Sequence, residues 1–321
     1  MKKTKFMKAW FVVLIIFLAM PTIEKTDAAN NAPTIRINSN GSLEPSNVPI
    51  QRNGDVYTFT GNIDASIVVD RDNVVIDGAG YTLRGTYNGT RADNWVVGEG
   101  PNQETSTTPW TIGVDIASKG RYNLTVKNLN IKNFYVGMYI WSSNNTIIGN
   151  SITDNIVGIL LSGDYNTITK NYIAHNEQGI FFGVNTPGNE PLNIVLTYNS
   201  FVENVVQFSG CFCETYNPQE AVHTWDDGNR GNYWSDYRGA DINGDGIGDE
   251  PYVIDPQNQD RFPLIRPEAK PPTPRSEPTL WIIAAGLTIT GVVLAVFVAW
   301  RYIQKRKLTL TLFERKLYSK R

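Results

Sequence analysis

A short segment near the C-terminal end of the chain places oxygen-bearing side chains at the spacing of a calcium-binding loop. Residues 241–249 read DINGDGIGD, with Gly246 at loop position 6, where a sharp turn is needed. Position 12 is Tyr252 instead of a bidentate Glu, which predicts weakened affinity. An Asp/Gly-rich turn that binds no ion is the alternative. The predicted calcium ligands are Asp241, Asn243, Asp245, the backbone carbonyl of Ile247, and Asp249.

The two cysteines of the chain, Cys211 and Cys213, are separated by one residue. Outside the cell a disulfide is the default state of a cysteine pair, and we rank the Cys211–Cys213 disulfide first. A bridge across one residue is strained, so free thiols, an intermolecular bond or a metal site stay open. His223 follows ten residues after Cys213 and would be a further ligand of such a site.

Titratable residues recur at one position of a sequence repeat described below. Lys132, Asp154, His175 and Glu203 each precede the third asparagine of a copy. Stacked copies would align them in one column, and carboxylates or an imidazole in such a column could act in acid–base chemistry on sugars. Asp154, His175 and Glu203 are therefore weak catalytic candidates. The favoured interpretation is an alternating-charge ladder on a solvated face. Such exposed pairs contribute little to stability and do not require a catalytic role.

A second column is apolar. On the strand after each repeat glycine, Met138 and Ile140 are expected to face inward, so that Tyr139, Leu160 and Phe181 face outward. An exposed column of this kind could stack against sugar rings, which makes these three residues candidate ligand-binding residues. The alternative is that an insertion loop covers them.

An internal repeat must position these residues. Glycines followed by an apolar strand recur at Gly137, Gly158 and Gly179, two intervals of 21 residues. Strands of three to five residues at this period indicate a β-solenoid, since they are too short for helical repeats and lack the frame of a leucine-rich repeat. Asparagines precede each strand at intervals of five, and stacked amides could form ladders: Asn123, Asn128, Asn133; Asn145, Asn150, Asn155; Asn166, Asn171, Asn176; and, in a fourth copy, Asn199 and Asn204.

The predicted fold class is therefore all-β: a right-handed parallel β-helix of about 21 residues per coil, with a C-terminal cap and a single C-terminal transmembrane helix. The helix is expected over 30–208, with an insertion at 86–109. An insertion loop and the calcium-loop and aromatic cap are expected over 209–262. Aromatic residues cluster in this cap: Trp225, Tyr233, Trp234, Tyr237 and Tyr252.

Both ends of the chain have the composition of membrane-targeting segments. Residues 1–28 combine four lysines within residues 1–8, a short apolar run and a small-residue site, which predicts a cleaved signal peptide. Residues 280–300 contain no charge and predict one transmembrane helix, preceded by a proline-rich linker at 263–278. The basic segment 301–321 then predicts a cytoplasmic tail and an ectodomain outside the cell membrane.

Charge is divided between the ends and the body of the chain. Residues 29–300 carry 16 basic and 28 acidic residues, a net charge of −12, although the whole chain is near neutral at −2. An acidic body lacks the basic footprint that nucleic-acid binding requires. We therefore expect metal cations or uncharged ligands and no nucleic acid.

Three segments resemble the NosD-like family of right-handed parallel β-helix proteins, in particular its prokaryotic surface-anchored members. They are 73–85 (NVVIDGAGYTLRG), the asparagine-bearing coils, and 231–255 (GNYWSDYRGADINGDGIGDEPYVID). The resemblance implies coils of the carbohydrate-binding and sugar-hydrolase type, and the namesake of the family helps to mature a copper enzyme. His175, His223 and Met138 are few soft ligands for such a role.

These observations predict a membrane-anchored extracellular β-helix module that binds carbohydrate or a cell-envelope polymer without catalysis. A polysaccharide lyase, hydrolase or epimerase on the same fold is the alternative. A copper-handling factor is the second alternative.

Overall fold

The computed structural model describes residues 33–87, 111–116, 122–183, 191–210 and 222–271. All of them lie in the first of two compact units, Met1–Arg275, and the second unit is Ser276–Arg321. The predicted signal peptide, transmembrane helix and basic tail, most of the insertion 86–109, and both cysteines lie outside the described residues. Across the ranges described, no helix is long and apolar enough to cross a membrane.

The described chain folds into short β-strands. The strands before the first insertion are β1 Thr34–Ile37, β2 Leu43–Glu44, β3 Ile50–Asn53, β4 Val56–Phe59, β5 Ser66–Val69, β6 Val75–Asp77 and β7 Thr82–Arg84. The later strands are β8 Ile112–Ile116, β9 Thr125–Lys127, β10 Asn130–Lys132, β11 Val136–Ile140, β12 Thr146–Ile148, β13 Ser151–Thr153, β14 Val157–Leu161, β15 Thr167–Thr169, β16 Tyr172–Ala174, β17 Gln178–Phe182, β18 Val195–Thr197, β19 Ser200–Val202, β20 Val206–Gly210, β21 Tyr233–Trp234, β22 Tyr252–Val253 and β23 Gln259–Asp260.

Three long sheets stack these strands side by side, and most of the pairs are parallel. The sheet orders are β2-β1-β5-β8-β11-β14-β17-β20, β21-β19-β16-β13-β10-β7 and β18-β15-β12-β9-β6-β4-β3. Each coil contributes one strand to each sheet, as β12, β13 and β14 do for a single turn of the solenoid. The predicted all-β parallel β-helix is confirmed for the described residues.

Buried asparagines form the predicted ladders between coils. Asn150 Nδ2 donates to Asn171 Oδ1 at 3.0 Å, and Asn171 Nδ2 donates to Asn199 Oδ1 at 3.0 Å, across separations of 21 and 28 residues. The ladder continues to Asn232, which accepts from the Asn199 amide at 3.1 Å and which sequence reasoning missed. Each rung satisfies polar groups that burial would otherwise leave without partners.

The first asparagine triplet does not belong to these ladders. Leu124, Leu129 and Phe134 lie opposite the ladder positions of the next coil, and their backbone amides donate to Asn145, Asn150 and Asn155. The preceding asparagines, Asn123, Asn128 and Asn133, instead have φ of 60°, 53° and 62°. Predicting Asn123, Asn128 and Asn133 as ladder residues was therefore wrong by one position, because apolar residues occupy the ladder positions of the coil that holds β9, β10 and β11, the first copy of the repeat.

The C-terminal cap extends the core. Trp225 and Trp234 are buried in the main apolar cluster, and Tyr237 and Tyr252 pack against it. Trp234 stacks between Phe201 and Tyr252, with ring centroids 4.4 and 4.2 Å apart and nearly parallel planes. The predicted aromatic cap thus continues the stacked interior across β21 and covers the last coil.

Candidate functional site

One corner of the solenoid carries a column of titratable side chains. Strand pairing aligns Lys132 with Thr153, and Thr153 with Ala174. Each of these residues ends its strand, and the residue that follows it in the chain belongs to the column. The aligned residues are Asn133, Asp154, His175 and Glu203. The prediction that Lys132 belongs to this column was wrong. The first copy of the repeat is shifted by one residue relative to the later copies, so Asn133 takes the place of Lys132.

The backbone of this corner is left-handed. Asn133, Asp154, His175 and Glu203 have φ between 51° and 62°. Asn, Asp and His adopt this region more readily than most residues, whereas Glu is strained there. Other corners also hold non-glycine residues in this conformation, among them Tyr165, Lys170 and Tyr198.

The corner borders a groove of about 540 Å³ that crosses successive coils. Its size fits one or two sugar rings. The described residues that line it are Tyr87, Asn133, Asp154, Asn155, His175, Asn176, Glu177, Glu203 and Val205.

His175 and Glu203 face each other across neighbouring coils. His175 Nδ1 lies 3.5 Å from Glu203 Oε2, and their side chains are 47% and 74% exposed. Tyr172 lies close by: burial raises the pKa of its phenol, and the charges of Glu203 and Asp154 raise it further.

The asparagine amides behind the groove are committed to the interior. Asn155 Nδ2 donates to Asn176 Oδ1 at 3.1 Å, and Asn176 Nδ2 donates to Asn204 Oδ1 at 2.9 Å. The side-chain N–H groups of Asn155 and Asn176 therefore donate to the next coil of the ladder. The groove is also lined by Asn133, by the carboxylates, by the imidazole of His175 and by the Tyr87 ring.

The predicted apolar column is aligned but not exposed. Tyr139 pairs with Leu160, and Leu160 with Phe181, as the pattern indicated. Leu160 is only 7% and Phe181 only 2% exposed, in a second apolar cluster against which Tyr87 packs. Burial raises the pKa of the Tyr139 phenol far above its usual value. The expectation that this column is exposed was wrong, because Leu160 and Phe181 are buried in the second apolar cluster and Tyr139 packs against it.

The acidic loop 241–249 is folded around its first carboxylate. Asp241 Oδ1 accepts from the Gly244 amide at 2.8 Å, and Oδ2 accepts from the Gly246 amide at 3.0 Å. Gly244 and Gly246 have φ of 75° and 87°, which side chains rarely adopt. Asn243 Nδ2 donates to Asp245 Oδ2 at 2.9 Å, while Asp249 accepts from the Ile242 amide.

Within the described part of the chain, no group of three or more His, Cys, Asp or Glu side chains is arranged around a common metal position. In loop 241–249 the carboxylates of Asp241, Asp245 and Asp249 instead accept hydrogen bonds from backbone amides of the loop. Met138 is buried in the core. His223 packs against Phe182, with ring centroids 4.9 Å apart, and burial lowers its pKa to about 4. The described soft ligands therefore do not converge on one site.

A family model described as periplasmic copper-binding protein (NosD) matches residues 102–239. No curated protein matches the chain. The match covers the coils that carry the groove and confirms the resemblance to the NosD-like family. It supports an extracytoplasmic β-helix protein, either periplasmic or extracellular, and does not distinguish carbohydrate binding from copper handling.

Proposed function

From the match to this family, we propose that the protein binds carbohydrate, or a sugar-containing cell-envelope polymer, in the corner groove and does not cleave it. The observation that carries the proposal is the groove itself, where Asp154, His175 and Glu203 line a cavity sized for one or two sugars beside the ring of Tyr87. Protein sites for sugars combine a ring for stacking with polar groups that orient the hydroxyls.

Binding without cleavage is favoured by the solvation of the acidic groups. A glycosidase needs one carboxyl group in an apolar setting, so that it stays protonated and serves as the acid. Glu203 is 74% exposed, and its nearest titratable neighbour is the imidazole of His175 instead of a second carboxylate. Among the described residues that line the groove, no buried carboxyl group supplies the acid that the hydrolase alternative requires.

Copper handling is less well supported than carbohydrate binding. Copper sites in proteins use imidazole, thiolate and thioether ligands in close proximity. His175 lies on the groove, whereas Met138 is buried in the core and His223 packs among aromatic rings. These three side chains offer no common coordination sphere.

Glycan-array screening of the purified full chain, followed by calorimetry, tests the proposal. Shallow sites of this kind bind with dissociation constants of roughly 0.1–1 mM. His175→Gly and Glu203→Gly should weaken binding several-fold and leave the fold intact, because glycine accepts a left-handed backbone.

The matched control is Lys170→Gly, since Lys170 has φ of 56° at another corner and does not line the groove. It should bind as the parent does. Failure of any glycan to bind, or cleavage of a polysaccharide by the purified protein that His175→Gly abolishes, would contradict the proposal.

We also propose that loop 241–249 binds calcium through Asp241, Asn243, Asp245, Ile247 O and Asp249. Its support is the left-handed glycine pair and the closure of the loop around Asp241. Calcium would displace the contact between Asn243 and Asp245 and raise stability by about 1.4 kcal/mol at ten times the dissociation constant. Millimolar Ca²⁺ should raise the melting temperature of the parent but not of Asp245→Ala. The control Asp64→Ala, which lies outside the loop, should respond as the parent does. If Ca²⁺ leaves the melting temperature of the parent unchanged, the site is ruled out.

The membrane arrangement belongs to the same proposal. Residues 280–300 would anchor the protein by one helix, with the β-helix outside and 301–321 in the cytoplasm. Protease added to intact cells should remove the body and spare the tail, whereas protection of the body would mean the opposite orientation.

A further inference from the structure

The chain contains four Asn-x-Ser/Thr tripeptides, the acceptor sequence for N-linked glycans in secreted proteins. They begin at Asn40, Asn88, Asn123 and Asn144, and Asn88 lies outside the described residues. The family match supports a location outside the cytoplasm, which this modification requires. The three described tripeptides differ in how accessible they are in the folded protein.

Asn40 lies in the exposed turn between β1 and β2, where its side chain is fixed through its oxygen atom. Asn40 Oδ1 accepts from the Ser42 amide at 2.9 Å and from the Ser42 hydroxyl at 2.8 Å. The hydroxyl is oriented, since Ser42 Oγ accepts from Asn38 Nδ2 at 3.0 Å. Because Oδ1 makes both hydrogen bonds that the described structure gives the Asn40 side chain, Nδ2 is left to the solvent.

The turn is held in place and has room for a bulky group. Gly41 has φ of 83°, which a side chain rarely adopts, and its carbonyl accepts from the hydroxyl of the buried Tyr57 at 2.8 Å. Ser39 and residues 44–47 around it are exposed. Since β2 and β20 are the two ends of the first sheet, a group on this turn lies away from the groove at Glu203.

The other two described tripeptides are built into a sheet. Their threonines, Thr125 and Thr146, lie on β9 and β12, and each is paired with a strand on both sides. Asn123 Nδ2 donates to Asn73 Oδ1 at 2.8 Å. Asn145, the middle residue of the tripeptide that begins at Asn144, is buried in the ladder. A transferase that binds either tripeptide would have to break the pairing between coils.

We propose that Asn40 is glycosylated in the folded protein and that Asn123 and Asn144 are not. This inference depends on export from the cytoplasm and not on carbohydrate binding in the groove. The donor is an oligosaccharide joined through phosphate to a lipid. Asn40 Nδ2 forms a bond to C1 of the first sugar, and the bond from C1 to the phosphate oxygen breaks. The lipid phosphate leaves with the electron pair, and the amide proton passes to a base of the host transferase.

The test is site-resolved peptide mass spectrometry of the full chain purified from its own host. The peptide that contains Asn40 should carry the mass of a glycan, and the peptides that contain Asn123 and Asn144 should have their unmodified masses. Ser42→Ala should abolish the modification, whereas Ser42→Thr should keep it because the hydroxyl is retained. Asn40→Gln should also abolish it, which distinguishes an N-linked glycan from one on Ser42.

The matched control is Ser39→Ala, which removes a hydroxyl from the same exposed turn but outside the tripeptide and should keep the glycan. An unmodified Asn40 in the parent would overturn the inference, as would a glycan on Asn123 or Asn144, or a modification that survives Ser42→Ala. None of these outcomes bears on carbohydrate binding in the groove, which the glycan array and calorimetry measure separately.

Discussion

Two buried groups of the C-terminal cap are expected to titrate in the same pH range with opposite effects on stability. Asp260 is fully buried and accepts from the Asn232 amide at 2.7 Å and from Trp234 Nε1 at 2.9 Å. Burial raises its pKa from 3.8 to about 6, although these donors lower it. Burial of His223 among Phe182 and Trp225 lowers its pKa from 6.5 to about 4.

The signs follow from the protons that each state binds. At pH 5 the folded protein holds a proton on Asp260 and none on His223, and the unfolded chain holds the reverse. The pair therefore contributes no net pH dependence between about 4 and 6. Each pKa unit corresponds to about 1.4 kcal/mol. The complete titrations of Asp260 and His223 therefore each change the free energy of unfolding by about 3 kcal/mol, with opposite signs.

Single variants separate the contributions of Asp260 and His223 to the pH dependence of stability. Relative to the parent, Asp260→Asn should be about 2 kcal/mol more destabilising at pH 4 than at pH 6.5, because the Asp260 carboxyl is protonated in the folded protein over most of this range and ionised in the unfolded chain. His223→Gln should change in the opposite direction over the same range. Urea unfolding of the three proteins at half-unit steps of pH measures both trends. Differences that do not vary with pH, or that vary in the same direction, would refute the reasoning.

Two further predictions concern the core. Phe181→Ala should lower the free energy of unfolding by about 3–5 kcal/mol, measured by urea denaturation, since Phe181 is buried and its removal leaves a cavity; a neutral result would mean that the outward column is solvated after all. Asn171→Ala should cost about 2–3 kcal/mol, because it breaks contacts with Asn150 and Asn199 and leaves buried donors without partners. Asn123→Ala is its control, since Asn123 lies outside the ladder, and equal losses in both would contradict the assigned register.

The fold could be predicted from the sequence because its period is local and regular. Asn150 and Asn171 are one coil apart, and a spacing of 21 residues places their amides in contact whatever the loops do. The register of the coil that holds β9, β10 and β11, the first copy of the repeat, could not be predicted in the same way. Asn123, Asn128 and Asn133 imitate ladder residues, but the ladder positions hold Leu124, Leu129 and Phe134. Residue type alone does not distinguish a left-handed corner asparagine from a ladder asparagine one residue later.

The candidate site was only partly predictable, for a related reason. Asp154, His175 and Glu203 were found because they occupy equivalent repeat positions, and the structure aligns them. Tyr87 was missed because its relation to this corner depends on folding across coils, and it has no repeat signature. The burial of Phe181 likewise depends on a second apolar cluster that the alternation of residues along one strand does not reveal.

The most direct test of the central claim is a crystal structure of the protein grown with a saturating sugar pentamer that binds in calorimetry. Carbohydrate binding in the corner groove predicts sugar density within hydrogen-bond distance of Asp154, His175 and Glu203, with a ring against Tyr87. Density confined to another face of the solenoid, with this groove holding only water, would contradict it.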